Sequence, residues 1–412
     1  MPDAGRRQAV VIGAGPAGLM AAEVLAGGGA DVTVYDRMPS IGRKLLMAGL
    51  SGLNITHTEP LPAFLKRYGD ADPRLQAAVT AFPPETLRAW CQDLGQPTFV
   101  GSSRRVFPVS MKASPLLRAW RQRLVDQRVR FALRHRWTGW DAERRLVFAT
   151  PEGERAFAAE ATVLALGGAS WPRLGSDGEW AATLAATGAM LTPFAPANCG
   201  FAAPWSPLFV ERHEGAPLKA VQLRFGPHQA RGDLVVTRDG LEGGALYALA
   251  KPLREALAGG VPVDLQIALR PDLTEAQLTE RLARRKPKDS LATALRRTVA
   301  LAPVAIGLLQ EAARRDAGPP LASLDTRALA RRINTVPVRL TAPASLDRAI
   351  STAGGLAFAS CDPGWMLQDR PGTFVAGEML DWEAPTGGYL LQACFATGHA
   401  AGTAARAWLS RS

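Results

Sequence analysis

Three glycines and one acidic residue near the start of the chain have the types and spacing of a dinucleotide site. Gly13, Gly15 and Gly18 follow a short apolar run, and Asp36 comes about 20 residues later. The first glycine makes a tight turn, the second lets backbone approach a pyrophosphate, and the third lets a helix pack closely on a strand. A carboxylate at Asp36 can accept hydrogen bonds from ribose hydroxyls, which disfavours a 2′-phosphate and favours FAD or NAD over NADP.

The residues around these glycines predict the elements that the site needs. An apolar run over residues 8–12 predicts a buried strand, and residues 31–35 predict a second strand. Between them, Pro16 is tolerated at the first helical position because its missing N–H would have no partner there. The free N–H groups at this helix start form a phosphate site, which we expect Pro16 and Ala17 to border.

A second glycine-rich stretch, GRKLLMAGLSGLNITH, covers residues 42–57 soon after Asp36 and Arg37. Its glycines permit a close approach of backbone to a flavin, and its two cations can offset pyrophosphate charge. A surface turn with solvated cations is the alternative that the residues leave open. On the flavin interpretation, the cofactor-binding residues here are Arg37, Arg43, Lys44, Leu45, Ser51, Gly52, Leu53 and Asn54.

Six sequence motifs are spread over nearly the whole chain. They are GRKLLMAGLSGLNITH at 42–57, RVFP at 105–108, VLALGGASWPRLGSDG at 163–178, GDLVVTRDGLEGGALYAL at 232–249, STAGGLAF at 351–358 and FVAGEMLDWEAPTGGYLLQACFATGHAAG at 374–402. In this order they resemble the HI0933-like, or BaiN-like, family of bacterial NAD(P)/FAD-dependent oxidoreductases of the glutathione-reductase type. The resemblance implies an α/β fold with a Rossmann-like FAD-binding domain, and FAD as the cofactor.

The chain departs from the family pattern beside the expected flavin. Gly52 and Leu53 stand where the family has Arg-Cys, Leu50 and Ser51 replace two glycines, and Leu390 replaces an asparagine. Farther along, Gly-Gly-Ala stands at 243–245 where the family has Ser-Gly-Pro. These changes predict a subgroup whose substrate or reductant differs from that of better-known members.

The resemblance also implies cofactor contacts later in the chain. A buried apolar run at 161–168 ends in glycines, and an acid follows Ala-Gly at the end of a short strand near 377. Trp137 is a candidate contact for the adenine edge, with a packed aromatic as the open alternative. The other residues expected here are Leu166, Gly167, Gly168, Gly377 and Glu378.

A long helix is predicted from the start of YLLQACFATGHAAGTAARAWL. Thr386, Gly387, Gly388 and Tyr389 lie at its N-terminus. That end presents free N–H groups and positive potential, which would stabilise a reduced flavin if aimed at its N1/C2 edge. An ordinary helix that begins at glycine is the alternative.

The order of the motifs predicts a discontinuous nucleotide domain. We expect it to comprise residues 1–190 and 342–412. Short strand-like runs predict a β-barrel-like insert over 191–247 and 321–341, and helical patterns predict a cap over 248–320. The cap is expected to cover the flavin and to form part of a substrate pocket.

Composition narrows the class of protein. The net charge is +11, but we interpret it as a bias towards scattered arginines and not as a nucleic-acid footprint. Four separated cysteines without a CxxC pair fit the reducing cytoplasm and give no zinc or dithiol motif. The N-terminus lacks a signal-peptide pattern, and no apolar run is long enough to span a membrane.

These observations predict an FAD-dependent oxidoreductase that reduces a small organic substrate with electrons from NAD(P)H. No second GxGxxG follows a strand, so NAD(P)H is expected to bind transiently beside the flavin. An amine oxidase that uses oxygen is one alternative, and a flavin-containing RNA-associated protein is another. No catalytic acid or base is evident: Tyr389 and Gln392 could contact the flavin ring or the substrate, Arg105 could contact an anion, and histidines placed like His57 and His399 are more often structural.

Overall fold

The computed structural model describes residues 6–50, 52–316 and 319–411. Its strands are β1 Gln8–Ile12, β2 Asp31–Asp36, β3 Thr56–His57, β4 Thr98–Val100, β5 Arg105–Pro108, β6 Arg130–Leu133, β7 Arg136–Trp140, β8 Leu146–Thr150, β9 Gly153–Phe157, β10 Ala161–Leu164, β11 Leu191–Ala197, β12 Phe201–Ala202, β13 Pro217–Phe225, β14 His228–Thr237, β15 Gly240–Glu242, β16 Val263–Ala268, β17 Val336–Leu340, β18 Ala342–Pro343, β19 Ser351–Leu356 and β20 Thr373–Val375.

The α-helices are α1 Pro16–Gly27, α2 Arg43–Ala48, α3 Leu61–Leu65, α4 Pro73–Ala81, α5 Pro84–Asp93, α6 Ala113–Asp126, α7 Trp180–Ala185, α8 Pro207–His213, α9 Gly244–Tyr247, α10 Ala250–Leu257, α11 Glu275–Ala283, α12 Leu291–Val299, α13 Pro303–Arg315, α14 Thr326–Ile333 and α15 Tyr389–Leu409. Short 3₁₀ turns cover Lys66–Tyr68, Pro172–Leu174, Leu321–Ser323, Leu346–Arg348, Phe358–Ser360 and Gly377–Met379. Within the described residues, no helix has the length and apolar character needed to cross a bilayer.

The chain divides into two compact units. The first comprises residues up to 195 together with those from 351 onward, and the second comprises residues 196–350. The first unit is therefore discontinuous in sequence, as the motif order predicts. The divisions fall at 195/196 and 350/351, whereas the sequence placed them at 190/191 and 341/342.

A parallel sheet organises the first unit, in the order β20-β10-β1-β2-β6. All four pairings in it are parallel, and β1 lies between β10 and β2. The residues of β10 are all buried, which is why its sequence is a continuous run rather than an alternation. The carboxyl ends of parallel strands share one edge, so β1, β2, β10 and β20 all end towards one edge of the sheet.

Helices α1 and α15 pack on each other, and both contact strands of this sheet. Both α1 and α15 are rich in alanine and glycine, and they make a close interface along the first unit. Small side chains permit that approach because little volume separates the two backbones. The predicted α/β fold with a Rossmann-like nucleotide domain is confirmed.

The second unit is built on an antiparallel sheet in the order β17-β16-β13-β14-β15-β12-β18. Strand β16 lies inside the range assigned to the helical cap, between β13 and β17. Conversely, α8 and α14 lie inside the ranges assigned to the β-rich insert. In α14 the Asp325 side chain caps the helix, and Leu329 and Ile333 recur at the four-residue helical spacing.

Candidate FAD-binding site

The turn between β1 and α1 has the backbone geometry that the glycine spacing predicts. Gly13 has a φ of 106°, and a Cβ atom there would lie 2.2 Å from the carbonyl oxygen of Ala165. At Gly18, a Cβ would lie 1.8 Å from the carbonyl oxygen of Gly13. Both positions therefore exclude a side chain through contact with backbone. Helix α1 begins at Pro16 with no side-chain cap, which leaves its first N–H groups available.

Gly15 is different, because a Cβ there would meet no protein atom within 4 Å. The protein itself does not need glycine at this position for space. Open space beside backbone at the start of a helix is what a pyrophosphate requires.

Asp36, at the end of β2, is oriented by the backbone. Its Oδ2 accepts a bond of 2.7 Å from the Ala14 N–H, and its Oδ1 accepts one of 2.7 Å from the Met38 N–H. Burial raises the pKa of Asp36, while these two bonds and the charges of Arg37 and Arg43 act in the opposite direction. The carboxylate keeps further lone pairs that can accept ribose hydroxyls.

A cavity of about 250 Å³ lies at this edge of the sheet. It is lined by the β1–α1 turn, the end of β2, helix α2, and residues of β7 and of the segment after β10. The sequence-predicted residues that line it are Gly13, Gly15, Pro16, Ala17, Asp36, Arg37, Arg43, Lys44, Leu45, Trp137, Leu166, Gly167, Gly377 and Glu378.

The remaining predicted residues do not line that cavity. Gly18 packs within the β1–α1 turn, and Ser51 lies outside the described residues. The others, which the sequence placed mainly near the flavin ring, are Gly52, Leu53, Asn54, Gly168, Thr386, Gly387, Gly388 and Tyr389.

Four buried polar atoms among the cavity residues lack a hydrogen-bond partner among the described residues. Asp177 Oδ2 has only its ion pair with Arg37, and the three without either kind of partner are Arg43 Nε, Trp137 Nε1 and Ser176 Oγ. Buried polar atoms are almost always paired, so their grouping around one cavity indicates a polar ligand. Two nitrogen donors and one hydroxyl suit the phosphate and ribose oxygens of a dinucleotide, and the residues present therefore fit FAD.

Lys44 is held by protein groups at the wall of the cavity. Its Nζ lies 2.7 Å from Glu378 Oε2 and 2.8 Å from Ser170 Oγ. Glu378 Oε1 also accepts the Thr352 N–H at 3.0 Å. The carboxylate expected to bind ribityl hydroxyls is thus already shared between Lys44 and a backbone amide. It joins α2 to the segment after β20.

The start of α15 is fixed by a second polar cluster. The Tyr389 hydroxyl donates to Glu59 Oε1 at 2.5 Å, and Arg67 donates to both Glu59 oxygens at 2.9 and 2.8 Å. Tyr68 donates to the Tyr389 carbonyl oxygen at 2.9 Å. Burial and the hydrogen bond to Glu59 raise the pKa of Tyr389, so its proton is retained at neutral pH.

The other polar candidates near α15 are also committed to the protein. Asn54 Nδ2 donates to the carbonyl oxygens of Thr56 and Val106, and Gln392 bridges the Thr56 hydroxyl and the Phe82 carbonyl oxygen. His57 Nδ1 accepts the Glu59 N–H, and its Nε2 faces the Ser103 carbonyl oxygen. That pattern fits a neutral ring with the proton on Nε2.

The known proteins that resemble this chain decide its family. The model for the HI0933-like protein Rossmann domain matches residues 7–404. The chain belongs to the HI0933-like family. The resemblance drawn from six motifs is therefore confirmed, and the protein is an FAD-dependent oxidoreductase.

Two characterised relatives share sequence with this HI0933-like chain. The 3-dehydro-bile acid delta(4,6)-reductase of Clostridium scindens is 26% identical over 96% of this chain and 98% of the relative. The ribosomal RNA dihydrouridine synthase of Haemophilus influenzae is 50% identical, but only over 54 residues, which are 13% of this chain and 14% of the relative.

Solved structures share the fold of this HI0933-like chain at lower identity. An open-conformation flavocytochrome c3 fumarate reductase aligns with a TM-score of 0.54 and 16% identity over 98% of this chain and 79% of that one. The 3-ketosteroid-delta4-(5alpha)-dehydrogenase of Rhodococcus jostii RHA1 aligns with a TM-score of 0.53 and 18% identity over 97% of each chain.

Several residues that line the cavity of the HI0933-like chain were not predicted as site residues from the sequence. Ser176 and Asp177 line the cavity, and Asp177 forms an ion pair with Arg37. Both lie in the quoted 163–178 motif, which was the available signal. Cys394 also lines the cavity, and burial raises the pKa of its thiol to about 12. Nothing in the sequence around Cys394 distinguishes it from a core residue of α15.

Proposed function

We propose that the protein reduces a carbon–carbon double bond conjugated to a carbonyl, with bound FAD and with NAD(P)H as the transient electron source. The observation that carries the proposal is the 26% identity to a delta(4,6)-reductase over 96% of this chain. The cavity with unpaired polar atoms at the β1–α1 turn supports the cofactor half of the proposal.

The topology supports a transient NAD(P)H site. The sheet of the second unit is antiparallel throughout its pairings, so within the described residues it offers no second Rossmann crossover. A nicotinamide donor therefore has no dedicated domain of its own among these residues. We infer that NAD(P)H would bind transiently beside the flavin site, where it would supply the electrons for the reduction.

The residues of this chain act by holding and orienting the cofactor. Asp36 accepts the ribose hydroxyls, and the amides at the start of α1 bind the pyrophosphate. Arg43 supplies an unpaired buried donor, and Lys44 positions Glu378. When bound, FAD supplies the hydride-transfer chemistry, which no amino-acid side chain can supply.

A second candidate substrate is a uridine base in RNA. The short match to a ribosomal RNA dihydrouridine synthase favours it. Dihydrouridine differs from uridine by two hydrogens across a double bond that is conjugated to a carbonyl. Both relatives are therefore named for the same kind of reduction, so the bond type is shared while the substrate size differs.

Anaerobic stopped-flow absorbance would test the proposed function. The purified protein should be yellow, and mixing with NADH or NADPH should bleach the flavin band. Addition of a conjugated enone steroid should then restore the band, with a saturated steroid as the matched control. If neither nicotinamide bleaches the flavin but a small amine does, the oxidase alternative replaces this proposal. A colourless protein that releases no FAD on denaturation would contradict both.

A further inference from the structure

A group of exposed cations lies at one end of α11 and along α12 in the second unit. We name it the basic surface, and it consists of Arg281, Arg284, Arg285, Lys286, Lys288, Arg296 and Arg297. All seven residues are exposed. Residues 280–297 contain only two carboxylates, so the local charge is strongly positive.

Most of these cations have no partner in the protein. Arg284 pairs with Glu280, and Arg297 pairs with Asp289 at 3.3 Å. Within residues 6–50, 52–316 and 319–411, the other five form no ion pair or side-chain hydrogen bond, namely Arg281, Arg285, Lys286, Lys288 and Arg296. Unpaired cations at this density repel one another, which is a cost that a polyanionic partner would remove.

The cations lie on one surface because α11 and α12 bury their apolar side chains in the core and leave their charged side chains exposed. Leu278 and Leu282 of α11 and Leu295 and Val299 of α12 are buried in the core of the second unit. Helices α11 and α12 pack on each other, so the cations at 281–288 and at 296–297 are presented by adjoining elements. The Arg297–Asp289 pair joins α12 directly to the loop that carries the lysines.

Helix α14 provides a comparison in the same unit, because its exposed cations are paired with an acid. Arg327 and Arg331 of α14 both donate to Glu275 at the start of α11. Their charge is therefore compensated within the protein. Among the described residues, no acid forms an ion pair with Arg285, Lys286 or Lys288.

We propose that the basic surface binds the phosphate backbone of RNA. Residues 271–300 contain no aromatic side chain, so base stacking is not the mode of recognition. Arginine and lysine at exposed positions suit phosphate contacts, which position a nucleic acid without reading its sequence. A membrane surface is disfavoured because interfacial helices need exposed apolar residues, whereas the leucines of α11 and the leucine and valine at the end of α12 are buried.

The proposal does not depend on the proposed reaction, since phosphate binding needs neither electron transfer nor FAD. It departs from the expectation drawn from composition. In the sequence, the cations appear as short groups scattered among alanines, and only the packing of α11 on α12 shows that two groups share one surface. Only the choice of RNA over DNA rests on the second candidate substrate of the proposed function, through the partial match to a ribosomal RNA enzyme.

Fluorescence anisotropy with the full-length flavin-loaded protein would test the proposal. The probes are a fluorescein-labelled single-stranded oligouridine, a DNA strand of the same length and vesicles that contain phosphatidylserine. We expect RNA binding that weakens between about 50 and about 200 mM KCl, with a log–log slope near −3.5 if five phosphates are neutralised.

Two triple variants with the same change in charge distinguish an effect of the basic surface from an effect of the overall net charge. Arg285→Glu, Lys286→Glu and Lys288→Glu should weaken RNA binding more than about tenfold and reduce the slope by about 2. The control carries Arg212→Glu, Arg224→Glu and Arg348→Glu, which are exposed cations on other elements of the same unit. It should weaken binding by less than about threefold.

Three outcomes would overturn the proposal: no RNA binding at low salt, equal losses in the two triple variants, or tighter binding to the vesicles than to RNA. NAD(P)H-dependent flavin bleaching, measured on the same preparations, should be unchanged in both variants. Loss of RNA binding with normal bleaching, and the reverse, therefore distinguish this proposal from the proposed function.

Discussion

The two ends of the expected FAD site are built in opposite ways. Around the β1–α1 turn, buried polar atoms such as Trp137 Nε1 and Ser176 Oγ have no hydrogen-bond partner in the part of the chain that the structure describes. Around the start of α15, Tyr389, Asn54 and Gln392 are fully engaged with other protein groups. The region around the β1–α1 turn, which we call the adenosine end, needs a ligand to complete its hydrogen bonds. The region around the start of α15, which we call the α15 end, already has its hydrogen bonds within the protein.

This difference implies different roles for the two ends. The adenosine end should contribute most of the affinity for FAD, because ligand binding there satisfies groups that are otherwise unpaired. The α15 end should contribute mainly stability and the orientation of backbone N–H groups. Mutations at the two ends should therefore change different measured quantities.

The largest effect is expected at the closest backbone contact in the adenosine end. Gly18→Ala places a methyl group 1.8 Å from a carbonyl oxygen and should lower the free energy of unfolding by about 3 kcal/mol or more. Gly15→Ala is the matched control, since its methyl group meets no protein atom. It should leave the stability of the FAD-free protein within about 0.5 kcal/mol and still weaken FAD binding. Equal melting temperatures for the two FAD-free variants would contradict this reading.

Ionisation of Asp36 should make the affinity for FAD depend on pH. The ionised carboxylate accepts ribose hydroxyls more strongly than the protonated acid does, and burial raises the pKa of Asp36. FAD affinity should therefore be complete above that raised pKa and fall as the pH drops through it. Asp36→Asn should weaken binding by about tenfold to a hundredfold and flatten this pH dependence. Titration of FAD fluorescence at several pH values would measure both effects, and an unchanged pH profile in the variant would exclude Asp36.

Glu59 should affect stability without affecting FAD affinity. Its hydrogen bonds with Arg67 lower its pKa below the ordinary value for glutamate. A lowered folded-state pKa adds stability above the unfolded-state pKa, and that stability is lost as the pH falls through the folded-state pKa. Glu59→Gln should cost about 1 to 2 kcal/mol at neutral pH and weaken the acid dependence of unfolding. Urea unfolding at neutral and acid pH would measure it.

The smallest effect is expected for Tyr389→Phe, which removes only the hydroxyl that donates to Glu59. Loss of this bond should cost about 1 kcal/mol, with the ring still packed on Phe64. FAD affinity should stay within about twofold of the parent protein. A large loss of FAD instead would mean that Tyr389 contacts the cofactor, as the sequence suggested, and would break the contrast between the two ends.

The sequence could assign residues to the adenosine end because each residue there acts through a local rule. Gly13, Gly18 and Asp36 are set by a turn, a close approach and a strand end, and these features depend on neighbours in sequence. The resemblance then identified the family without any knowledge of packing. Trp137 lines the cavity, and its contact with adenine stays a prediction.

The α15 end was harder to predict because its contacts join distant segments. The Tyr389–Glu59 bond spans 330 residues, and at the wall of the cavity the Lys44–Glu378 pair spans 334. No spacing rule in one sequence shows that a glutamate belongs to a lysine rather than to a ligand. In the second unit, the helical pattern of TRALARRIN agrees with α14, whereas β16 lies among predicted helices because the helical patterns on either side of it hide a short strand.

The position of β20 in the parallel sheet has a consequence for synthesis. This edge strand pairs with β10, more than 200 residues earlier, and α15 follows it at the end of the chain. While the ribosome is still making the chain, β1, β2, β6 and β10 have emerged but the helix that covers α1 has not. The second unit, which is continuous in sequence, can fold during this interval. The first unit is therefore completed only after α15 has emerged, and until then the uncovered face of α1 leaves the nascent chain vulnerable to aggregation.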